Sequence, residues 1–322
     1  DKVKDDSNTK VPLVLVMCAT THEARQDAKA TGWADKALAE NLIVLAPNYD
    51  NYATYSQVDR IMSAVEYVIA NYPVDTTRVY STGFSNGGAT SVAMCSEYPQ
   101  VFAAISSLGW MVDLNCSKDS YAAFDMPFQV VQGTKEYTQQ TASGAMAIMD
   151  DEQHAIRSLF LFNEMIGESD TADYDKTPYW GYAPADSHTI SPDGGTWTVN
   201  NFYKSGYSSP FAQLVLIDGA THQAHRQEAD ITWDFFKNFS RADDGSIADS
   251  ANGQGAETMS EEDQIIALYQ KMQDAMVSRD TDYLRSVMGD TVRHIDGDKA
   301  TLKCTNVIAF SLLTGVVVNL IL

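Results

Sequence analysis

The chain is expected to fold as an α/β protein, a mostly parallel sheet with helices on both faces. Three observations predict it: apolar runs long enough for buried strands, a regular alternation of those runs with helical stripes, and a Gly-x-Ser-x-Gly reversal where one run meets a helix. Residues 11–17 (Val-Pro-Leu-Val-Leu-Val-Met) are apolar throughout, as a strand covered on both faces must be. A helical stretch follows near Trp33–Ala39, and residues 41–47 (Asn-Leu-Ile-Val-Leu-Ala-Pro) read as the next strand. From Val58 to Tyr72 the apolar positions Val58, Ile61, Met62, Val65, Val68 and Ile69 form one helical stripe. Residues 78–82, 102–108, 128–133 and 212–217 supply further strands, and Thr232–Phe239 a closing helix. Strands alternating with helices put the functional site at the carboxyl ends of the strands.

The alternation breaks between Glu136 and Ala212. Residues 150–166 look helical, and Pro192-Asp193-Gly194-Gly195 before Trp197-Thr198-Val199 signals a hairpin. This insertion, about 137–210, is expected to cap the site. Its aromatics Tyr179, Trp180, Tyr182, Trp197 and Tyr203 either line an acyl or aryl pocket or form the insertion's own small core. Trp110, Trp180, Trp197 and His225 are the pocket candidates.

Residues 1–241 therefore read as the main domain, 242–259 as an acidic linker without apolar periodicity, and 260–322 as a partial domain or tail. Within the tail, Ser260–Ser278 forms an amphipathic stripe with a Ser260/Asp263 cap, and a short helix is expected over Thr281–Met288. Residues 307–322 are apolar but fall short of the ~20 residues of a membrane helix. They read as a β-rich end or a truncated domain rather than an anchor.

Composition narrows the partners. Lys and Arg number 22 against 43 Asp and Glu, a formal charge of −21. Such a field repels phosphate backbones and anionic lipid, so neither nucleic acid nor a membrane is expected as a partner. The four cysteines, Cys18, Cys95, Cys116 and Cys304, have no zinc spacing. Cys18 and Cys95 read as small core side chains, with a Cys95–Cys116 disulfide left open. A surface rich in Asp, Asn, Ser, Thr and Tyr suits a secreted protein, with a cytoplasmic one as the alternative.

The chemistry centres on Gly83-Phe84-Ser85-Asn86-Gly87. A strand enters it and a helix-compatible stretch follows, the context of a nucleophile elbow rather than a glycine-rich turn that happens to hold serine. Ser85 must then adopt positive φ, and its flanking glycines let strand and helix pass closely. Such a serine needs a base, and the base an orienting acid, in the chain order Ser, acid, His. Of six histidines, His222 stands in the short loop after the last strand, with His225 its rival. Glu136 is the carboxylate in the loop after residue 133, with Asp150 and Asp151 as fallbacks. The oxyanion donors are expected from the N–H of Asn86 and of Ala19 or Thr20, after the first strand.

The stretch Val74-Asp75-Thr76-Thr77-Arg78-Val79-Tyr80-Ser81-Thr82-Gly83-Phe84-Ser85-Asn86-Gly87-Gly88 resembles the elbow of the polyhydroxybutyrate-depolymerase-like α/β-hydrolases, which include feruloyl and acetylxylan esterases. Tyr98-Pro99 with Val101-Phe102-Ala103-Ala104, and Trp233-Asp234-Phe235-Phe236, resemble later family segments, so the likeness runs over roughly residues 10–241. It implies a serine carboxylester hydrolase, without metal or cofactor, with Ser85 as nucleophile, His222 as base and Glu136 as acid. Two departures stand out: Cys18-Ala19 where the family has His-Gly, and Glu136 where it has Asp. They motivate a rival reading as a non-catalytic binder on the same scaffold; a serine peptidase is the other. Ser260–Met288 faintly resembles the opening helices of nuclear-transport-factor-2-like domains.

Overall fold

Alternation along a single strand builds the layers. In β1 (Val11–Met17), Leu13, Leu15 and Met17 enter one apolar cluster while Val14 and Val16 enter another. A strand with both faces buried needs helices on both sides, and the computed structural model supplies them. It describes residues 9–49, 55–114 and 125–249, with two short strands at 295–296 and 299–300. The chain divides into two units, Asp1–Gln254 and Gly255–Leu322.

The first unit carries an eight-stranded sheet. Its strands are β1, β2 (Ile43–Leu45), β3 (Val74–Phe84), β4 (Ala104–Leu108), β5 (Phe128–Gly133), β8 (Asp186–Ile190), β9 (Trp197–Phe202) and β10 (Ala212–Ile217), in the order β2-β1-β3-β4-β5-β10-β9-β8. The pairings from β2 to β10 are parallel, in register Leu15↔Ser81, Ser81↔Ile105 and Val215↔Val131 for example. Strand β9 pairs antiparallel with β10, and β8 with β9.

Helices α3 (Val58–Asn71), α4 (Asn86–Glu97) and α5 (Asp150–Phe162) bury Val65, Val92, Ile156 and Leu159 against one face. On the other lie α1 (Ala24–Ala30), α2 (Trp33–Ala39) and α6 (Glu228–Phe236), where Trp33, Tyr80 and Phe236 stack. The apolar stripe from Val58 forms α3 as its period requires.

The sequence reading differs from the fold at three places. The insertion's hairpin β8–β9 extends the main sheet: Trp197 and Val199 enter one buried cluster, Phe202 enters the cluster on the other face, and β9 bonds β10. A small hairpin, β6 (Thr138–Gln140) with β7 (Met146–Ile148), precedes α5. The closing helix starts at Glu228, and Phe239–Arg241 forms β11, paired antiparallel with β12 (Ile247–Asp249) inside the segment read as a linker. Asp249 accepts bonds from the N–H groups of Ser208 and Ser209, at 2.6 and 2.8 Å, which fastens that segment.

In the second unit, β13 (Ile295–Asp296) and β14 (Lys299–Ala300) pair antiparallel. The helices expected over Ser260–Ser278 and Thr281–Met288, the apolar end 307–322, His294, Cys116 and Cys304 lie outside the described residues. Cys95 is a buried free thiol whose ionisation burial pushes well up. Among the described residues, no helix is long and apolar enough to cross a membrane, and no cluster of three or more His, Cys, Asp or Glu is placed to hold a metal.

Candidate active site

Strand β3 ends at Phe84 and helix α4 begins at Asn86, which leaves Ser85 alone to reverse the chain. Its backbone sits at φ 57°, ψ −123°, a conformation serine adopts only under constraint. The constraint is visible. The Ser85 N–H donates to the Leu108 carbonyl at 2.7 Å, and its own carbonyl accepts from the N–H of Gly88 at 2.9 Å. Gly87 makes the tight crossing possible: a Cβ there would stand 2.3 Å from the Met17 carbonyl oxygen. The end of β1 and the loop after it therefore lie directly against the start of α4.

The loops after β5 and β10 are laced together beside this serine. The Thr134 N–H donates to the Ile217 carbonyl at 3.0 Å, Lys135 to Ala220 at 2.9 Å, and the Gly219 N–H to the Thr134 hydroxyl at 2.8 Å. That lacing brings Glu136 from one loop against His222 from the other. His222 Nε2 lies 2.8 Å from Ser85 Oγ, and Nδ1 is hydrogen-bonded to Glu136 Oε1. Glu136 Oε2 accepts the Gly133 N–H at 2.8 Å, so both carboxylate oxygens are held. Glu136 is 7% exposed. Its longer side chain is accommodated at Gly109, which has φ 75° and whose missing Cβ would lie 2.4 Å from Oε1. The rings of Phe84 and Tyr137 pack on the imidazole at 4.8 and 4.5 Å.

The structure thus brings Ser85, His222 and Glu136 into one hydrogen-bonded chain, with Asn86 opening the adjacent helix. The fallback acid Asp150 instead accepts from Gln139 Nε2 at 2.7 Å at the start of α5. His225 packs edge-on to Trp197 at 5.6 Å, and burial lowers its basicity. Ala19 is a correction to the expected oxyanion pair. Its N–H is already donated to Asp27 Oδ2, at 2.6 Å. Thr20 is left: among the described residues its N–H has no hydrogen-bond partner.

Two of the pocket candidates are corrected as well. Trp180 and Trp197 are core side chains, 3% and 0% exposed, because each packs into a buried apolar cluster. Trp110 does stand near the site, edge-on to Tyr137 at 5.4 Å. Sequence reasoning missed Asp27, Tyr49 and Tyr137. A signal existed for the first: Ala24, Asp27 and Ala28 share the buried stripe of α1, and an acid on such a stripe needs donors.

Parallel sheet, strained elbow serine and the His222 loop after the last parallel strand define the α/β-hydrolase fold. The model of the prolyl oligopeptidase family matches residues 48–153. Feruloyl esterase B of Talaromyces funiculosus is 41% identical over 51 residues, 16% of this chain, and the chain spans 14% of that relative's length. Among solved structures, an acetyl xylan esterase from Aspergillus awamori is similar with TM-score 0.47 and 14% identity, covering 72% of this chain and 90% of that one. SOBER1 of Arabidopsis thaliana is similar with TM-score 0.43 and 12% identity, covering 70% and 97%. The family model and the curated relative each match only part of this chain.

Proposed function

We propose that this chain is a serine carboxylester hydrolase working through an acyl-enzyme on Ser85. The observation that carries the reading is the unbroken hydrogen-bond chain from Ser85 Oγ through His222 to Glu136. Ser85 Oγ attacks the ester carbonyl while His222 Nε2 takes its proton; Glu136 orients the Nδ1–H and stabilises the imidazolium. The oxyanion is held by the N–H of Asn86 and of Thr20. His222 then protonates the departing alcohol, and a water activated by the same nitrogen releases the acid and restores Ser85.

For the substrate, the likeness to a feruloyl esterase over 51 residues supports acyl or aryl esters of the feruloyl or acetyl kind; hydroxyalkanoate esters are the remaining class. Tyr137, 48% exposed and edge-on to Trp110 beside His222, offers an aromatic corner to a planar acyl group. The match to the prolyl oligopeptidase family favours a second reading, a serine peptidase. Hydrolysis of p-nitrophenyl acetate, butyrate and ferulate should be measured beside aminopeptide anilides. Turnover of the esters with none of the anilides is expected. Ser85→Ala should lower ester turnover by about 10⁴-fold or more with the melting temperature kept. Full esterase activity in that variant would refute the reading.

A further inference from the structure

Opposite the histidine side, the site is bounded by residues 18–22, the loop between β1 and α1. Thr21 in it has φ 66°, a left-handed conformation that a threonine keeps only where its surroundings enforce it. Two side chains do so. Asp27, 3% exposed on α1, accepts the Ala19 N–H on Oδ2 at 2.6 Å and bonds His22 Nδ1 with Oδ1 at 2.8 Å. It therefore grips the loop on both sides of Thr20. From the other direction, Tyr49 Oη donates to the Cys18 carbonyl at 3.1 Å and lies 3.2 Å from Thr90 Oγ1. Thr90 Oγ1 in turn donates to the Asn86 carbonyl at 2.8 Å. The loop is thus tied through Tyr49 to the helix that starts at the nucleophile.

We propose that Asp27 is a positioning residue which, with Tyr49, holds loop 18–22 so that the Thr20 N–H acts as the second oxyanion donor. The inference rests on the esterase reading above. Its physical content is preorganisation: a backbone N–H stabilises developing charge only if it is already aimed when the charge appears. Asp27 on α1 and Tyr49 each bond the loop directly, on either side of its strained residue or at its start. Burial pushes the Tyr49 hydroxyl's ionisation up, which keeps it a donor to Cys18.

The test is kcat and KM on a short-chain p-nitrophenyl ester, together with the rate of Ser85 labelling by a fluorophosphonate, for Asp27→Ala, Asp27→Asn and Tyr49→Phe. Losing one aimed donor costs roughly 10²–10³-fold in kcat. Because the loop is displaced rather than removed, Asp27→Ala should lose roughly 10–10²-fold in kcat and in labelling rate, with KM within about twofold. Asp27→Asn keeps an acceptor for the Ala19 N–H and should recover most of that loss. Tyr49→Phe should lose several-fold in kcat. If Asp27→Ala does not fold, Tyr49→Phe carries the test. A folded Asp27→Ala or Tyr49→Phe with wild-type kcat, or with raised KM and unchanged kcat, overturns the proposal. A wild-type protein that takes no label at Ser85 overturns the esterase reading instead.

Discussion

Two glutamates, Glu136 and Glu152, are almost equally buried and live in opposite circumstances. Glu136, 7% exposed, has an imidazole on one oxygen and a backbone N–H on the other. Glu152, 1% exposed at the start of α5, has among the described residues only a long 3.4 Å bond from the Met149 N–H. Burial pushes Glu152 up to about 8, with the charges of Glu136 and Asp151 adding to it. Glu228 at the head of α6 repeats the pattern: buried, its Oε2 unpartnered, and its ionisation pushed well up by burial. Depth alone therefore does not make a carboxylate useful. The difference is that the loop after β5 was laced to the loop carrying His222, whereas α5 offers its glutamate one backbone donor.

The sharpest way to break the comparison is to remove the carboxylate from Glu136. Glu136→Gln keeps the shape but cannot accept on one side, so the imidazole is held in the wrong tautomer. Activity on an ester substrate should fall by roughly 10³–10⁴-fold, the order seen when a triad acid is replaced by its amide. Near wild-type turnover in that variant would demote Glu136 to a structural residue. A smaller effect is expected at Gly109→Ala. The new Cβ meets Glu136 Oε1, the atom bonded to His222, and the backbone there has positive φ. Displacing the acid by a fraction of an ångström should cost roughly 10–10²-fold in kcat. Thermal unfolding should drop only modestly beside that loss, and a fall in stability without one in kcat would break the link between Gly109 and the acid.

The same contrast explains what was legible in the sequence. A continuous apolar run announced β1, because a strand buried on both faces leaves no polar alternation to mistake. Ser85 and His222 were legible because chain order in this fold is fixed by topology, and the loop after the last parallel strand is short. Strands β6 and β7, at three residues each, carry too little pattern to stand out. Strand β8 has exposed or half-exposed side chains, so only the turn before Trp197 signalled its hairpin. The segment holding β12 reads as a linker because Asp and Gly around it conceal its one buried apolar side chain, Ile247. Ala19 was misjudged for a different reason: a backbone N–H has no side-chain signature, and only the geometry of Asp27 shows that it is occupied. The tryptophans misled because bulk predicts burial and substrate contact equally well.

The least expected effect on turnover, and the cleanest on stability, belongs to Glu152. Its ordinary value is 4.5 and its folded value about 8, so between those limits the native chain holds a proton that the unfolded chain has released. Stability tied to this group is complete below about pH 4.5, declines as pH rises to about 8, and is then level. Each pH unit in that window is worth at most about 1.4 kcal/mol. Glu152→Gln keeps the bond from the Met149 N–H and has no proton to lose. The variant should match the wild type near pH 4.5 and melt later, by roughly 5 °C or more, at pH 8.5, with kcat unchanged. An equal difference at both pH values would mean that the substitution acts through packing or capping and that the glutamate's proton contributes nothing. A loss of kcat would tie Glu152 to the site through its neighbour Glu136, and the two carboxyl groups would then have to be treated as one titrating pair.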